Sequence, residues 1–286
     1  MEAENKEQAV AIRYSKEYSI VQANELVRSK QDELSLLEAK LIRLAIAQVL
    51  QEDTDFKTYT CKVVDLARFL GISKDNIYRD IQDLSLNLMK KSIFIRDNNP
   101  RKGIKKNYKI FHWIDYVEYK DGTITFKLSE SLKPYLLGLE ELFTRYSYEA
   151  LIDLPTNYSI RLYELLASWQ NTTFRNVPKT NYTDIPIEYN EFIFTIDYLR
   201  EYFNCSDKYP NTGDFIINVI DKAVKAIEKN TFMKVSYRKV KQGRSISHIV
   251  FKLNDITPID PELEERFRRA RELADKLCSG LEYEYE

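Results

Sequence analysis

The stretch "ARFLGISKDNIYRDI", residues 67–81, decides the fold of this chain. It holds a short apolar helix pattern, then a glycine and a serine, then the start of a second helix pattern. Ile77, Ile81, Leu84 and Leu88 follow one another at spacings of four, three and four residues, which places them on one face of a helix. Taken alone, the stretch fits a DNA-reading helix-turn-helix and also fits two packed helices joined by a turn, so the rest of the chain must decide.

A related pattern returns 139 residues later, in "NTGDFIINVIDKAVKAIEKN", residues 211–230. Ile216, Ile220, Ala223 and Ile227 repeat the spacing of four, three and four. The preceding helix pattern also repeats, and the turn is six residues longer because "NCSDKYPNT" replaces "GIS". A strand-like run comes before each pair of helices, "FKTYTC" and "NEFIFT". One amphipathic helix is common, but two copies with the same flanking segments indicate an internal repeat.

A strand, a basic loop and a return strand follow each second helix. The first loop, "NNPRKGIKKNYK", lies in a stretch without acidic residues from 98 to 114. The second, "RKVKQGRSIS", lies in a stretch from 229 to 254 with seven Lys or Arg and no Asp or Glu. A hairpin tip needs polar, turn-forming residues, but it does not need such an excess of cations. Each half therefore has the element order of a winged helix-turn-helix domain.

We predict an α+β, mainly helical fold of tandem winged helix-turn-helix domains related by an internal repeat. The connector between them is expected to begin after the tight-turn pair Asp121-Gly122 and to contain Pro134 and Pro155. The predicted organisation is an N-terminal tail at 1–18, a first winged-helix domain at 19–128, a connector at 129–155, a second winged-helix domain at 156–256, and a charged C-terminal helix with an acidic tail at 257–286.

The net charge of −1 conceals an asymmetry along the chain. Residues 1–55 carry seven Lys or Arg against 11 Asp or Glu, and residues 255–286 carry five against ten. The middle, residues 56–254, therefore has a net charge of +8. A basic body fits a polyanionic partner, although ordinary charge scatter would give the same totals.

The usual signatures of catalysis and cofactor binding are missing from the sequence. The seven glycines form neither GxxxxGK nor GxGxxG, which disfavours a phosphate-cradling loop. His112 and His248 are isolated, and no carboxylate cluster has metal-ligand spacing. We therefore expect no enzyme activity, no metal and no cofactor.

The sequence also bears on where the protein resides. The polar N-terminal stretch has no apolar h-region, and no apolar run reaches about 18 residues, so we expect neither a secretory signal nor a membrane span. Three widely spaced cysteines suit the reducing cytoplasm. The expected location is therefore cytoplasmic.

Candidate DNA contacts lie on the face of each second helix opposite its apolar stripe and on the basic hairpins. Asn is suited to reading adenine and Arg to reading guanine, whereas Lys mainly neutralises phosphate. Arg79 and Asn218 are the strongest candidates for base reading, and Asp214 either accepts from a cytosine amino group or favours the helix N-terminus. The candidates in the first half are Lys74, Asn76, Tyr78, Arg79, Arg101, Lys102, Lys105 and Lys106. The candidates in the second half are Asn211, Thr212, Asp214, Asn218, Lys222, Lys225, Arg238, Lys239, Lys241 and Arg244.

Three stretches resemble the iteron-binding initiator Rep proteins of theta-replicating plasmids. They are "NELVRSKQDELSLLEAKLIRLAIAQV", "DLARFLGISKDNIYRDIQDLSLNLMKKSIFI", and the run from "FTIDYLREYFNC" through "FIINVIDKAVKAIEKNTFMKVSYRKVKQGRSISHIVFKL". The resemblance covers roughly residues 18–253 and leaves out the acidic C-terminal helix pattern, residues 261–277.

This resemblance implies a mechanism for the protein. Monomers would bind direct repeats of double-stranded DNA at a plasmid origin, with most base reading by the second winged helix. Dimers, formed through the first domain, would bind an inverted repeat near their own promoter and repress it. The host initiator and the replicative helicase would be further partners.

Three other readings remain open from the sequence. A transcription regulator with two winged helices would share every DNA contact named above. A rolling-circle nicking enzyme would need a close histidine pair for a metal beside a tyrosine nucleophile, and the sequence has no such pair. A protein-interaction module would leave the paired basic hairpins unexplained.

Overall fold

The computed structural model describes residues 9–14, 18–50, 52–96, 107–170, 185 and 190–255. In chain order, the elements of the first half are β1 (Val10–Ala11), β2 (Ser19–Ala23), α1 (Asn24–Val27), β3 (Lys30–Gln31), α2 (Leu36–Ile46), β4 (Tyr59–Lys62), α3 (Val63–Leu70), α4 (Lys74–Lys90), β5 (Ser92–Arg96), β6 (Tyr108–His112), β7 (Ile114–Lys120), β8 (Thr123–Leu128), α5 (Lys133–Leu136), β9 (Phe143–Ser147) and α6 (Glu149–Ile152). The second half continues with α7 (Asn157–Gln170), β10 (Glu191–Thr195), α8 (Ile196–Tyr202), α9 (Thr212–Phe215), a π-helical turn (Ile216–Asp221), α10 (Lys222–Asn230), β11 (Lys234–Gln242) and β12 (Ser245–Asp255).

The helix-turn-helix of the first half is formed by α3 and α4. Gly71 ends α3 with a φ of 68°, a left-handed conformation that glycine adopts without strain from a Cβ atom. Ser73 then caps α4, because its side chain accepts a hydrogen bond from the Asn76 backbone N–H at 3.3 Å. The predicted apolar stripe of α4 is buried in the core at Ile77, Ile81, Leu84 and Leu88.

The longer turn of the second half is held by a side chain of the preceding helix. The Arg200 guanidinium donates hydrogen bonds to the carbonyl oxygens of Lys208 and Tyr209 at 2.9 and 2.8 Å. Asn211 then caps the next helix by accepting from the Gly213 backbone N–H at 2.9 Å. Helix α9, the π-helical turn and α10 follow one another without a break from Thr212 to Asn230, and we call them the second recognition helix.

The sheets of the two halves differ in pairing although the element order is the same. In the second half, β10 pairs with β12 and β12 pairs with β11, all antiparallel, so the β11–β12 hairpin lies in the same sheet as the strand before α8. In the first half, the corresponding strand, β4, pairs with β1 and β8, while the β5–β6 hairpin pairs with β3. The common order of elements therefore does not extend to the hydrogen-bonded partners of the strands.

Two segments predicted to lie outside the domains contribute strands to the first half. In the predicted connector, 129–155, strand β9 pairs with β2 from Phe143 to Ser147, with Thr144 and Tyr146 buried. In the predicted N-terminal tail, 1–18, strand β1 pairs with β4, and Ile12 is buried. Buried and half-buried side chains alternate along β9, as in a strand with one face packed on the core, and Pro134 and Pro155 lie outside it.

Helix α7 joins the two halves because it contacts both. It packs against α10 of the second half and against β9, α1 and α2 of the first. The buried Arg161 of α7 donates to the carbonyl oxygens of Val27 and Ser29 at 3.2 and 2.7 Å. The Tyr202 hydroxyl of α8 donates to the same Val27 carbonyl at 3.2 Å. These contacts seat the second helix-turn-helix directly on the first half.

Candidate nucleic-acid interface

The outward face of the second recognition helix carries a chain of polar side chains. The Asn218 amide nitrogen donates to the Asp214 carbonyl oxygen at 3.0 Å, and the Lys222 ammonium donates to the Asn218 amide oxygen at 2.9 Å. Asp214, Lys222 and Lys225 are exposed and Asn218 is half-buried. The amide group predicted to read a base is therefore hydrogen-bonded within the helix, and it would have to exchange these partners to bind DNA.

The β11–β12 hairpin is a wing in which strand replaces most of the predicted loop. The segment "RKVKQGRSIS" was expected to form a loop, but β11 continues to Gln242 and β12 begins at Ser245. Gly243 and Arg244 alone separate the two strands, and Gly243 takes a φ of 62°, which a two-residue hairpin turn favours. Lys239, Lys241 and Arg244 are exposed at this end of the wing.

Arg238 is the wing cation that faces a carboxylate of its own sheet. Its Nε and Nη2 atoms donate to the two carboxylate oxygens of Glu191 at 3.2 and 2.9 Å. Glu191 lies on β10 and is buried, so the ion pair ties this strand across the sheet to β11. The arrangement gives Arg238 a carboxylate partner within the sheet.

A direct contact fixes the wing against the second recognition helix. The Tyr237 hydroxyl of β11 donates to Asp221 Oδ1 at 2.5 Å. Burial raises the pKa of Tyr237 above its usual value, and the hydrogen bond and charge of Asp221 raise it further. The hydroxyl therefore remains protonated and able to donate, and its hydrogen bond holds β11 against the helix.

The corresponding face of the first half, on α4, has a different charge pattern. Arg79 donates from Nε and Nη2 to both carboxylate oxygens of its neighbour Asp80 at 2.6 and 3.0 Å. This hydrogen bonding, with the charge of Arg79, lowers the pKa of Asp80. The fork of Arg79 that would read guanine is thus engaged by a carboxylate in the free protein.

The structure places the remaining predicted contacts unevenly. Lys74 and Asn76 are exposed at the start of α4, whereas Tyr78 is half-buried. The Tyr78 hydroxyl approaches the β7–β8 turn at Gly122 so closely that a Cβ atom at this position would lie 3.3 Å from it. Asn211 is exposed and caps the second recognition helix, and Thr212 is half-buried in its first turn. The predicted cations of the first hairpin lie outside the described residues: Arg101, Lys102, Lys105 and Lys106.

One residue of the outward face was not among the predicted contacts. Ile217 is 55% exposed in the middle of the second recognition helix. With the offset of 139 residues that relates the two helix patterns, Ile217 is the equivalent of Tyr78, which is a predicted DNA contact. The repeat could therefore have identified Ile217 as a further candidate.

Two features are absent from the part of the chain that the structure describes. Among its helices, none combines the length and apolar character needed to cross a membrane. Nor does this part of the chain contain a group of three or more His, Cys, Asp or Glu side chains suited to a metal ion.

Comparisons with known proteins agree with the two-part construction. Residues 19–167 match the family described as "Initiator Replication protein, WH1", and residues 195–253 match "Initiator Rep protein, WH2". A curated relative, the "PI protein" of Escherichia coli, is 28% identical over 204 residues, which are 64% of this chain. The matched region spans 59% of the length of that relative. The chain belongs to the initiator Rep protein family, with one winged-helix domain of each of the two matched kinds.

Proposed function

We propose that the protein is a sequence-specific double-stranded DNA-binding initiator of plasmid replication. The observation that carries this proposal is the wing of the second half. Its exposed end presents Lys239, Lys241 and Arg244, in a stretch without acidic residues from 230 to 254, and Tyr237 anchors it to the second recognition helix. Cations beside a helix that enters the major groove are the arrangement by which winged helices bind duplex DNA.

Two kinds of contact follow from this geometry. The outward side chains of the second recognition helix would meet base edges, and the wing would neutralise phosphates. Helix α4 would add a second contact surface, displaced along the duplex. Because α7 packs against both halves, the protein would present the two surfaces in a defined relation.

The initiator would act through binding energy, without catalysis or a cofactor. Monomers would line up on direct repeats (iterons) at the origin, deform the duplex and recruit the host initiator and the replicative helicase. A dimer, formed through the first half, would bind the protein's own promoter and repress it. The family membership supports these steps, and the missing nucleotide-binding motifs are in keeping with them.

A footprint of the purified protein on the DNA flanking its own gene tests the proposal. We expect protection of direct repeats spaced by whole helical turns, since this spacing places successive monomers on one face of the duplex. Protection of a single inverted repeat at the promoter would instead favour a transcription regulator without an initiator role.

A replication assay separates these two functions directly. A plasmid that carries the footprinted repeats but lacks the gene should replicate only when the protein is supplied in trans. Incubation of the protein with supercoiled plasmid and a divalent metal ion should leave the plasmid intact. Reproducible nicked circles would contradict a non-catalytic initiator.

A further inference from the structure

The second recognition helix exposes an apolar side chain on an otherwise polar face. Ile217 is 55% exposed, and Asp214, Asn218 and Lys222 surround it along the helix. Folding does not require isoleucine at this position, because a solvent-facing helix site favours alanine or a straight-chain polar residue. Single exposed apolar residues are common on protein surfaces, so exposure alone does not indicate a function for Ile217. Its position on the helix is the second observation.

The π-helical turn contains that position. It runs from Ile216 to Asp221, and such turns occur often at functional sites. Phe215 and Ile216 are both buried, and so are Val219 and Ile220. Between these pairs, Ile217 is exposed and its neighbour Asn218 is half-buried.

The surroundings of Ile217 have the charge of a DNA-facing surface. Lys222 and Lys225 lie further along the same helix, and both are exposed. The Tyr237 hydroxyl of the wing contacts Asp221 of this helix, and the Lys239 ammonium lies 6.0 Å from the centre of the Tyr237 ring, so this wing cation lies near the helix. A polyanion is therefore the partner whose charge complements this face.

We propose that Ile217 is a specificity-determining residue that packs against the C5-methyl group of a thymine in the major groove. This inference rests on the proposed function, since it requires the second recognition helix to lie in that groove. The thymine methyl is the apolar group that the major-groove edges of the bases present, and apolar side chains recognise it by contact. An adjacent amide, that of Asn218, is suited to an adenine, so the pair of residues would favour an A·T-containing step.

A cycle of protein and DNA changes tests the contact. The probes are duplexes that carry the footprinted repeat, and in each probe a single thymine is replaced by deoxyuridine, which lacks only the methyl group. We expect one position where the deoxyuridine weakens wild-type binding by about fourfold, the loss that corresponds to one buried methyl group. Ile217→Ala should weaken binding to the thymine duplex by a similar or larger factor, and it should weaken binding to that deoxyuridine duplex by a clearly smaller factor.

Control variants distinguish this contact from a general loss of apolar surface. Ile217→Leu keeps an apolar side chain and should retain a preference for thymine at the same position. Phe232→Ala removes an aromatic side chain that is 93% exposed just beyond the helix, and it should leave both affinities unchanged. Ile217→Ala should fold as stably as the wild type, because the position is exposed and alanine has the higher helix propensity.

Two results would overturn the inference, and they differ in what else they affect. Equal weakening of the thymine and deoxyuridine duplexes by Ile217→Ala, or no weakening of either, would remove Ile217 from thymine recognition and leave the initiator function intact. No selective binding of the wild-type protein to any flanking sequence would overturn both this inference and the proposed function.

Discussion

Arg43 and Glu164 form a buried ion pair between α2 and the joining helix α7. The Nε and Nη2 atoms of Arg43 donate to the two carboxylate oxygens of Glu164 at 2.9 and 2.8 Å, and each side chain is 1% exposed. The Tyr146 hydroxyl adds a third hydrogen bond to the same carboxylate at 2.5 Å. Arg43 lies on α2, Tyr146 on β9 and Glu164 on α7, so the carboxylate holds the joining helix against the first half.

Removing the charge of Glu164 should destabilise the protein strongly. Glu164→Gln leaves the buried Arg43 guanidinium without its counter-charge, and breaking a buried pair in this way costs about 3–5 kcal/mol of unfolding free energy. Denaturant unfolding of the two proteins measures this difference. Asp65→Asn is the matched control, because its pair with Arg68 is exposed and should contribute little. Equal stability of the two variants would show that the buried pair contributes no more to unfolding free energy than the exposed pair.

The same carboxylate predicts a dependence of stability on pH. Burial alone would raise the pKa of Glu164, but the charge and hydrogen bonds of Arg43 outweigh burial and lower it. A pKa lowered on folding stabilises the native state fully above the unfolded value, about 4.3, and this contribution is lost as pH falls through the folded value. Between pH 6 and pH 3, the wild type should therefore lose more unfolding free energy than Glu164→Gln. Parallel stability curves for the two proteins would contradict this prediction.

The exposed cations of the wing should govern the salt dependence of DNA binding. Changing Lys241 and Arg244 together to alanine should weaken binding to all sequences and reduce the slope of log K against log salt by about 2, since each phosphate contact contributes about 0.9. Titrations of a labelled duplex at several salt concentrations measure the slope. Lys234→Ala is the control, because Lys234 lies at the other end of the same strand and donates to the Glu228 carbonyl oxygen. An unchanged slope in the double variant would place this end of the wing away from the phosphates.

Asn218 should affect the choice of sequence more than the overall affinity. Asn218→Ala should change the preference between the footprinted site and its single-base variants by about 1–3 kcal/mol, the usual value of a specific base contact. Competition binding with a set of single-base variants measures this. The variant also frees Lys222 from its hydrogen bond, so Lys222→Ala is the necessary comparison, and it should weaken all sites alike. A uniform loss with Asn218→Ala would assign this residue to the backbone of the duplex.

Local features of the sequence predicted the two helix-turn-helix segments well. The spacing of Ile77, Ile81, Leu84 and Leu88 predicted the buried face of α4, and Ser73, a residue type common at helix N-termini, caps that helix. Ser35 and Glu38 have capping-box spacing, and both hydrogen bonds of the box are present at the start of α2. These features depend on neighbours within one helical turn, so the order of residues contains the information.

The sequence anticipated the surroundings of the predicted DNA contacts only in part. The sequence identified the polar face around Asn218, but it did not identify the ion pairs that engage Arg79 and Arg238. The predicted stripe of Ile216, Ile220, Ala223 and Ile227 is buried, so regular helical spacing located the buried face correctly, but it does not show which outward side chains are engaged by partners. The contact of Tyr237 with Asp221 joins a strand to a helix, and periodicity along the chain does not reveal it.

The amino-acid sequence by itself determined the order of helices, turns and hairpins in this protein, because helix periodicity, capping and turn chemistry act over a few residues. Only the tertiary structure decided that β4 pairs with β8, that β9 joins β2, and that Glu164 on α7 meets Arg43 on α2. Strand pairing and buried ion pairs depend on residues far apart in the chain, and several partners can satisfy the same local pattern. The tertiary structure therefore also decides how the two proposed DNA-facing surfaces lie relative to each other.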